Sequence, residues 1–382
     1  MAGLAVYIHV PFCARKCRYC AFYSLPLEGR GDAAALIQRY LEALRMEIGM
    51  AAALAAERPV STIYIGGGTP TVLSPSDLVF IIEVVAESFS CADDLEVTVE
   101  ANPGTVSPGG LRELRKAGAN RLSLGAQSFD PGELKVLGRI HSAEEIYSAF
   151  FSARDAGFDN IGLDLIYGIP GQSLDSWRAN LEKAIELNPE HISVYGLSLE
   201  DGTPLADAVA RGELSPCSEE LQLAMWDTTG RLLKASGYER YEIANFARSG
   251  RECRHNLTYW LNQPYLGLGP AAHGYFGGVR YANHADLEEY IASSLAGKLP
   301  RAWEEHQTLE RERSDTVIMG LRLARGISRS AFLQRFGCSF EDVFGRELAL
   351  LKREGLIGED DDHIFLTERG RLLANYVMAY FV

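Results

Sequence analysis

Short apolar, β-branched runs alternate with longer amphipathic stretches along the first half of the chain. The runs AVYIHV (5–10), TIYIGG (62–67), LEVTVEA (95–101), NRLSLGA (120–126), NIGLDLIYG (160–168) and HISVYGL (191–197) read as strands. Between them, helical spacing of apolar positions predicts helices over 33–56, 75–90, 107–117, 142–156 and 173–187. Ser74, Thr105 and Gln172–Ser173 stand as caps before the second, third and fifth. Strand followed by helix, repeated, predicts a parallel sheet with crossover helices. Six such units stop short of a closed eight-unit barrel, so the expectation is an open, partial (β/α)6 barrel.

This core is assigned to residues 1–237. Residues 238–305 change character: YERYEIANF, HNLTYW and PYLGLGPAAHGYF are aromatic and irregular, and the segment reads as a connector. Residues 306–382 carry helical patterns at 310–324, 328–336 and 339–354, then GLI, the acidic turn Glu359–Asp362, HIFL and a terminal helix. That order predicts a small winged-helix-like α+β module. No internal repeat or low-complexity stretch interrupts the chain.

Composition narrows the function. Hydrophobic residues make up 47% and charged residues 23%, ordinary globular usage that argues against disorder. The formal charge is −14, and an acidic wing tip would repel phosphate, so nucleic acid is not an expected partner. Runs such as VFIIEVVA meet a charge well before the ~20 apolar residues that span a bilayer. The opening MAGLAVYIHVPFC has no basic region ahead of a long apolar one, which makes the cytoplasm the expected location and disulfides improbable.

Three of the seven cysteines, Cys13, Cys17 and Cys20, fall in CARKCRYC directly after the first strand. In a parallel sheet, chemistry gathers just past the strand ends. Three thiolates on one loop can each bind one iron of a [4Fe–4S] cube, leaving the fourth iron open to a ligand. The competing readings are zinc with His9 as fourth ligand, or three packed thiols. Gly66, Gly67, Gly68 and Thr69 follow the second strand, Glu100 and Asn102 the third and Gln127 the fourth, while Asp164 lies on the fifth. Glycines there let backbone groups approach a ligand closely.

YIHVPFCARKCRYCAF resembles the signature of the radical S-adenosylmethionine (SAM) family, and the likeness runs through the C-terminal module. The resemblance implies a [4Fe–4S] cluster on Cys13, Cys17 and Cys20 whose open iron chelates S-adenosyl-L-methionine. It also implies SAM contacts from Tyr7, Tyr19, Gly67, Gly68, Thr69, Glu100, Gln127, Arg139 and Asp164. Carboxylates accept from ribose hydroxyls or the SAM amine, and Arg pairs with its carboxylate.

Within the family, the resemblance is to the group containing oxygen-independent coproporphyrinogen III oxidases and haem chaperones. The oxidases carry a further cysteine two residues after the third ligand, where this chain has Phe22, and tens of residues ahead of the first strand. CRHNLTYW, from Cys253 to Trp260, is similar to an H-N-x-x-Y-W motif of the chaperone branch. The resemblance thus implies a haem chaperone with haem as cofactor and His255 as its candidate axial ligand, His273 and His284 lying nearby. Cys253 reads as an ordinary thiol, with a second haem ligand or a thioether site as the alternatives, while Cys91, Cys217 and Cys338 read as isolated small apolar residues. The implied partners are an electron donor for the cluster and a haem-acceptor protein, a membrane-associated haem protein among the options. The alternatives are the oxidase, with radical decarboxylation of propionates, and a radical SAM methyltransferase.

Overall fold

The computed structural model describes residues 3–55 and 58–382. Six strands run parallel in sequence order: β1 (Leu4–Val10), β2 (Val60–Gly67), β3 (Cys91–Ala101), β4 (Arg121–Gln127), β5 (Ile161–Tyr167) and β6 (His191–Gly196). β1 is buried at six of its seven positions, as expected of a parallel strand covered on both faces. This is the expected partial (β/α)6 barrel. The crossover helices are Ala33–Leu54, Pro75–Ser88, Pro108–Lys116, Ala143–Asp155 and Leu174–Glu186; residue 56, the end expected for the first, lies outside the described residues.

Capping chemistry sets the helix starts. Ser74 with Asp77, and Ser142 with Glu145, form reciprocal capping boxes, and Ser173 caps the helix after β5. The third cap is Ser107 rather than Thr105. Thr105 instead closes a short turn and hydrogen-bonds Thr71 across 2.6 Å, because Pro108 at the first helical position places Ser107 at the cap. One helix without apolar periodicity long enough to detect, Pro131–Leu137, follows β4 and ends at Gly138 in the left-handed conformation (φ 72°).

The segment expected to be a connector extends the sheet at both edges. β7 (Glu239–Arg240) and β8 (Asn245–Ala247) add antiparallel strands beyond β6. β9 (Tyr265–Leu268) lies parallel to β1 on its other side, followed by an antiparallel run of β10 (His273–Phe276), β11 (Val279–Asn283) and β12 (Arg301–His306). The full order is β12-β11-β10-β9-β1-β2-β3-β4-β5-β6-β8-β7.

The C-terminal residues form a separate hydrophobic cluster from Val317 to Phe381, around a three-stranded antiparallel sheet of Ile327–Ser328, Ile357–Glu359 and His363–Leu366. With the helices Leu309–Gly320, Arg329–Phe336 and Phe340–Arg353 this is the winged-helix-like module. Its acidic turn is tied down: Glu359 pairs with Arg329 and Lys352, and Asp362 accepts from the Ser328 hydroxyl at 2.6 Å. No helix among the described residues is long and apolar enough to cross a membrane.

Candidate metal and cofactor site

The cysteine loop is clasped at its base. Phe12–Cys13 pairs with Leu25–Pro26 in a small parallel ladder, with Leu25 N–H on Pro11 O at 2.7 Å and Leu27 N–H on Cys13 O at 2.8 Å. Its middle is pinned where Arg18 N–H meets Leu137 O at 3.0 Å, at the end of the helix following β4. Cys13 is buried, and Cys17 and Cys20 are half-buried. The Thr69 hydroxyl donates to Cys13 Sγ at 3.5 Å, and Arg139 Nη1 to Cys17 Sγ at 3.3 Å. A guanidinium against one sulfur and a hydroxyl against another are donors that metal-bound sulfurs would accept from.

Among the described residues, no group of three or more His, Cys, Asp or Glu side chains converges on a single ion. A cube takes one thiolate per iron and does not ask them to converge. The zinc alternative loses its fourth ligand, because His9 Nδ1 shares a hydrogen bond with the Tyr7 hydroxyl (3.1 Å) and Nε2 with Tyr23 O (3.0 Å).

The glycine run is required by packing as much as by any ligand. Gly67 has φ 110° and lies against the His9 ring; a Cβ on Gly68 would stand 2.4 Å from Phe12 O. Missing side chains bring β2 against the cysteine loop, and they also admit Glu100. Its carboxylate accepts from Gly67 N–H (3.2 Å) and the Tyr64 hydroxyl (2.7 Å). Burial pushes the Glu100 carboxyl up to about 7, with further help from the Asp164 charge. Asp164 is raised by burial too, and accepts from the Ser123 hydroxyl at 3.2 Å.

Two atoms here have no partner. Gln127 Oε1 and Arg139 Nε are buried without a hydrogen bond, while Arg139 Nη2 donates to Gly125 O at 2.7 Å. Gln127 also adopts φ 66°, a left-handed conformation costly for a side chain of its size. Unpaired polar groups and backbone strain at the end of β4, beside the thiol loop, are what a site completed by a polar ligand leaves behind. Tyr19 packs with Leu137, Ile166 and Ile169 on the Arg139 side of the loop, and Tyr7 rises from β1. The residues present thus suit an iron–sulfur cube with SAM beside it.

His255 does not face this space. It is 1% exposed beneath the sheet residues Tyr7 and Tyr64, its Nδ1 bonded to the Thr62 hydroxyl (2.8 Å) and its Nε2 to the Tyr259 hydroxyl (2.7 Å). Burial lowers its pKa to about 3, so the ring is neutral and both nitrogens are spent. Glu96 on β3 accepts from the backbone N–H groups of Arg254 (3.2 Å) and His255 (3.1 Å), and fixes the start of the helix Arg254–Trp260. Cys253 is fully buried with its thiol on Glu96, its pKa pushed up to about 12 by burial, and is unreactive at neutral pH.

Above that helix opens a cavity of about 570 Å3. Tyr7, Gly67 and Glu100 form one wall, Tyr259, Trp260 and Tyr265 another, and Phe22, 71% exposed, stands at its edge. Sequence reasoning missed Tyr64, the partner of Glu100. It missed also His141, whose ring bridges Asn102 and Ala126 O at 3.1 Å each. Both sit inside strand or loop patterns that look like ordinary core.

A parallel (β/α)6 sheet with a clasped three-cysteine loop beside an unsatisfied polar cradle defines a radical SAM protein. The model of the Radical SAM superfamily matches residues 7–184 and that of the HemN C-terminal domain residues 307–373. The chain is 36% identical over 379 residues to heme chaperone HemW of Bacillus subtilis (strain 168), covering 99% of each, and 35% identical over 390 residues to heme chaperone HemW of Escherichia coli (strain K12). That second alignment covers 99% of this chain and 98% of the relative. The structure of coproporphyrinogen III oxidase (HemN) from Escherichia coli matches with a TM-score of 0.86 at 28% identity, over 99% of this chain and 90% of that one. The chain belongs to the HemW family of radical SAM proteins.

Proposed function

We propose that this protein is a haem chaperone: it holds a [4Fe–4S] cluster and SAM at the strand ends, binds haem in the aromatic cavity beside them, and passes haem to an acceptor protein. The observation that carries the reading is the cavity itself. Its volume lies in the ordinary range for small-molecule sites, and flat aromatic walls are suited to a macrocycle. It opens directly onto Gly67 and Glu100 of the SAM cradle. When bound, the cluster would supply an electron to SAM.

Around these groups each residue has a role. Cys13, Cys17 and Cys20 would ligate the irons. Glu100 and Asp164 would accept from SAM hydroxyls or its amine, and Arg139 with Gln127 would meet the polar groups their unpaired atoms await. Gly67, Gly68 and Thr69 would supply close backbone approach, while Tyr7 and Tyr19 flank the ligand. In this reading residues 1–237 carry cluster and SAM, residues 238–305 complete the haem cavity, and residues 306–382 cover it, with Met319 on its wall. The work is placed in the cytoplasm.

The test is an anaerobic haem titration of cluster-reconstituted protein followed by its Soret band, then mixing with an apo haem protein. Saturable binding at one haem per chain, followed by transfer, supports the chaperone. Absence of binding above background rejects it and returns coproporphyrinogen III oxidation to first place, where Phe22 stands instead of the oxidases' further cysteine.

A further inference from the structure

We propose that His273 is the residue that would ligate the haem iron, an assignment that rests on the haem-binding reading above. Four imidazoles lie near the cavity, and the structure separates them. His9 has both ring nitrogens in hydrogen bonds, as does His255. His284 Nδ1 is paired with Glu289 at 3.2 Å and the residue is not on the cavity wall. His273 opens β10, is exposed and lines the cavity; among the described residues no hydrogen bond or ion pair takes its ring nitrogens. An imidazole with a free nitrogen facing an aromatic cavity is what iron ligation needs.

The chain builds this position with unusual care. Gly267 has no side chain because a Cβ there would stand 1.8 Å from His273 O; on Gly269, with φ 95°, it would stand 2.4 Å from His9 O. Ala271 adopts φ 59°, a left-handed conformation for which alanine has no compensating side-chain bond, and Asn262 on the same wall has φ 49°. Such strain persists only where surroundings over-determine it.

Those surroundings centre on Glu47. Its buried carboxylate accepts from Gly269 N–H (2.8 Å), Asn283 Nδ2 (2.6 Å) and the Tyr290 hydroxyl (2.6 Å), and Asn283 Nδ2 also reaches Gly269 O (2.9 Å). Ala271 N–H then bonds His284 O at 2.9 Å. The turn LGLGPAAH, irregular as a pattern, is thus a fixed bracket that carries one imidazole into the cavity. A ligand held on rigid backbone loses little entropy on binding.

The experiment uses the full chain with its cluster reconstituted, and compares wild type, His273→Ala, His273→Cys and His255→Gln by Soret titration and electron paramagnetic resonance. His273→Ala is expected to weaken haem binding at least tenfold and shift the band, with free imidazole restoring the wild-type spectrum. His273→Cys is expected to give a thiolate-ligated spectrum, a change that loss of packing alone cannot produce. His255→Gln is expected to retain an imidazole-ligated spectrum. An unchanged spectrum and affinity in His273→Ala overturns the assignment while leaving haem binding intact. So does loss of the imidazole signature in a folded His255→Gln that free imidazole rescues. Failure of the wild type to bind haem removes the chaperone reading itself, and the assignment with it.

Discussion

The parallel half of the sheet and the segment from Tyr238 to His306 reach the same surface by opposite routes. In the first, each strand is a largely apolar run and most of its functional residues come at or just past its end: cysteines after β1, glycines at the end of β2, Gln127 at the end of β4. In the second, strands are short, turns are strained, and the residues facing the cavity are held by side chains from far along the chain, above all Glu47. A regular scaffold advertises its site through periodicity. A site assembled by long-range contacts leaves only residue types behind.

The largest test of this contrast is removal of one thiol. Cys17→Ala leaves two candidate ligands on the loop, and the expected outcome is loss of the cluster's visible absorbance and iron content after anaerobic reconstitution. The thermal midpoint should hardly move, because the clasp of Leu25 on Pro11 and Leu27 on Cys13 uses backbone groups. An intact cluster in the variant would remove the three-cysteine assignment.

Next comes Glu47→Ala, which strikes the second region from within the first. It takes the carboxylate away from three buried donors, of which Asn283 Nδ2 keeps Gly269 O, so a destabilisation of about 3 kcal/mol is expected in chemical denaturation. Burial raises the Glu47 carboxyl to about 7. A group whose folded pKa is raised contributes most below the ordinary carboxyl range and loses that contribution as pH rises through about 7. The gap between wild type and variant should therefore narrow between pH 5 and pH 8.

These two residues also show how far the sequence could be read. The cysteine loop, the six strands and the C-terminal module follow from spacing and pattern, since local periodicity and strand-end position are properties of neighbouring residues. β9 to β12 did not, because Tyr265–Leu268 pairs with a strand over 250 positions away and is too short to show a period. His255 shows the opposite limit. The motif HNLTYW is conspicuous, but its His is consumed by Thr62 and Tyr259, a pairing visible only once the fold brings β2 to the helix. Glu47 is a polar residue on a helix stripe that nothing local marks as a keystone.

Glu100→Gln probes the first region's own electrostatics. Loss of a charged acceptor should weaken SAM binding by about 1.5–3 kcal/mol above pH 8, measured by calorimetry. In the free protein the Glu100 carboxyl titrates near 7, and SAM, a cation, favours its ionised form. Wild-type affinity should then climb as pH rises through about 7, and the variant should stay flat. Equal pH dependence in both would place the SAM amine elsewhere.

The smallest effect sharpens the comparison most. The helices Ala33–Leu54 and Leu287–Leu295 join the two regions, and they do so in two ways: Glu47 inside, and an exposed pair of Arg39 with Glu288 at 2.6 Å outside. Both partners of the outer pair are half exposed or more, so solvent screens their attraction and holding two long side chains costs entropy. Arg39→Ala should cost no more than about 0.5 kcal/mol, less still in high salt, and leave haem affinity untouched. If it instead matched Glu47→Ala, the second region would be fastened at the surface, and the buried carboxylate would lose its place as the anchor of the His273 bracket.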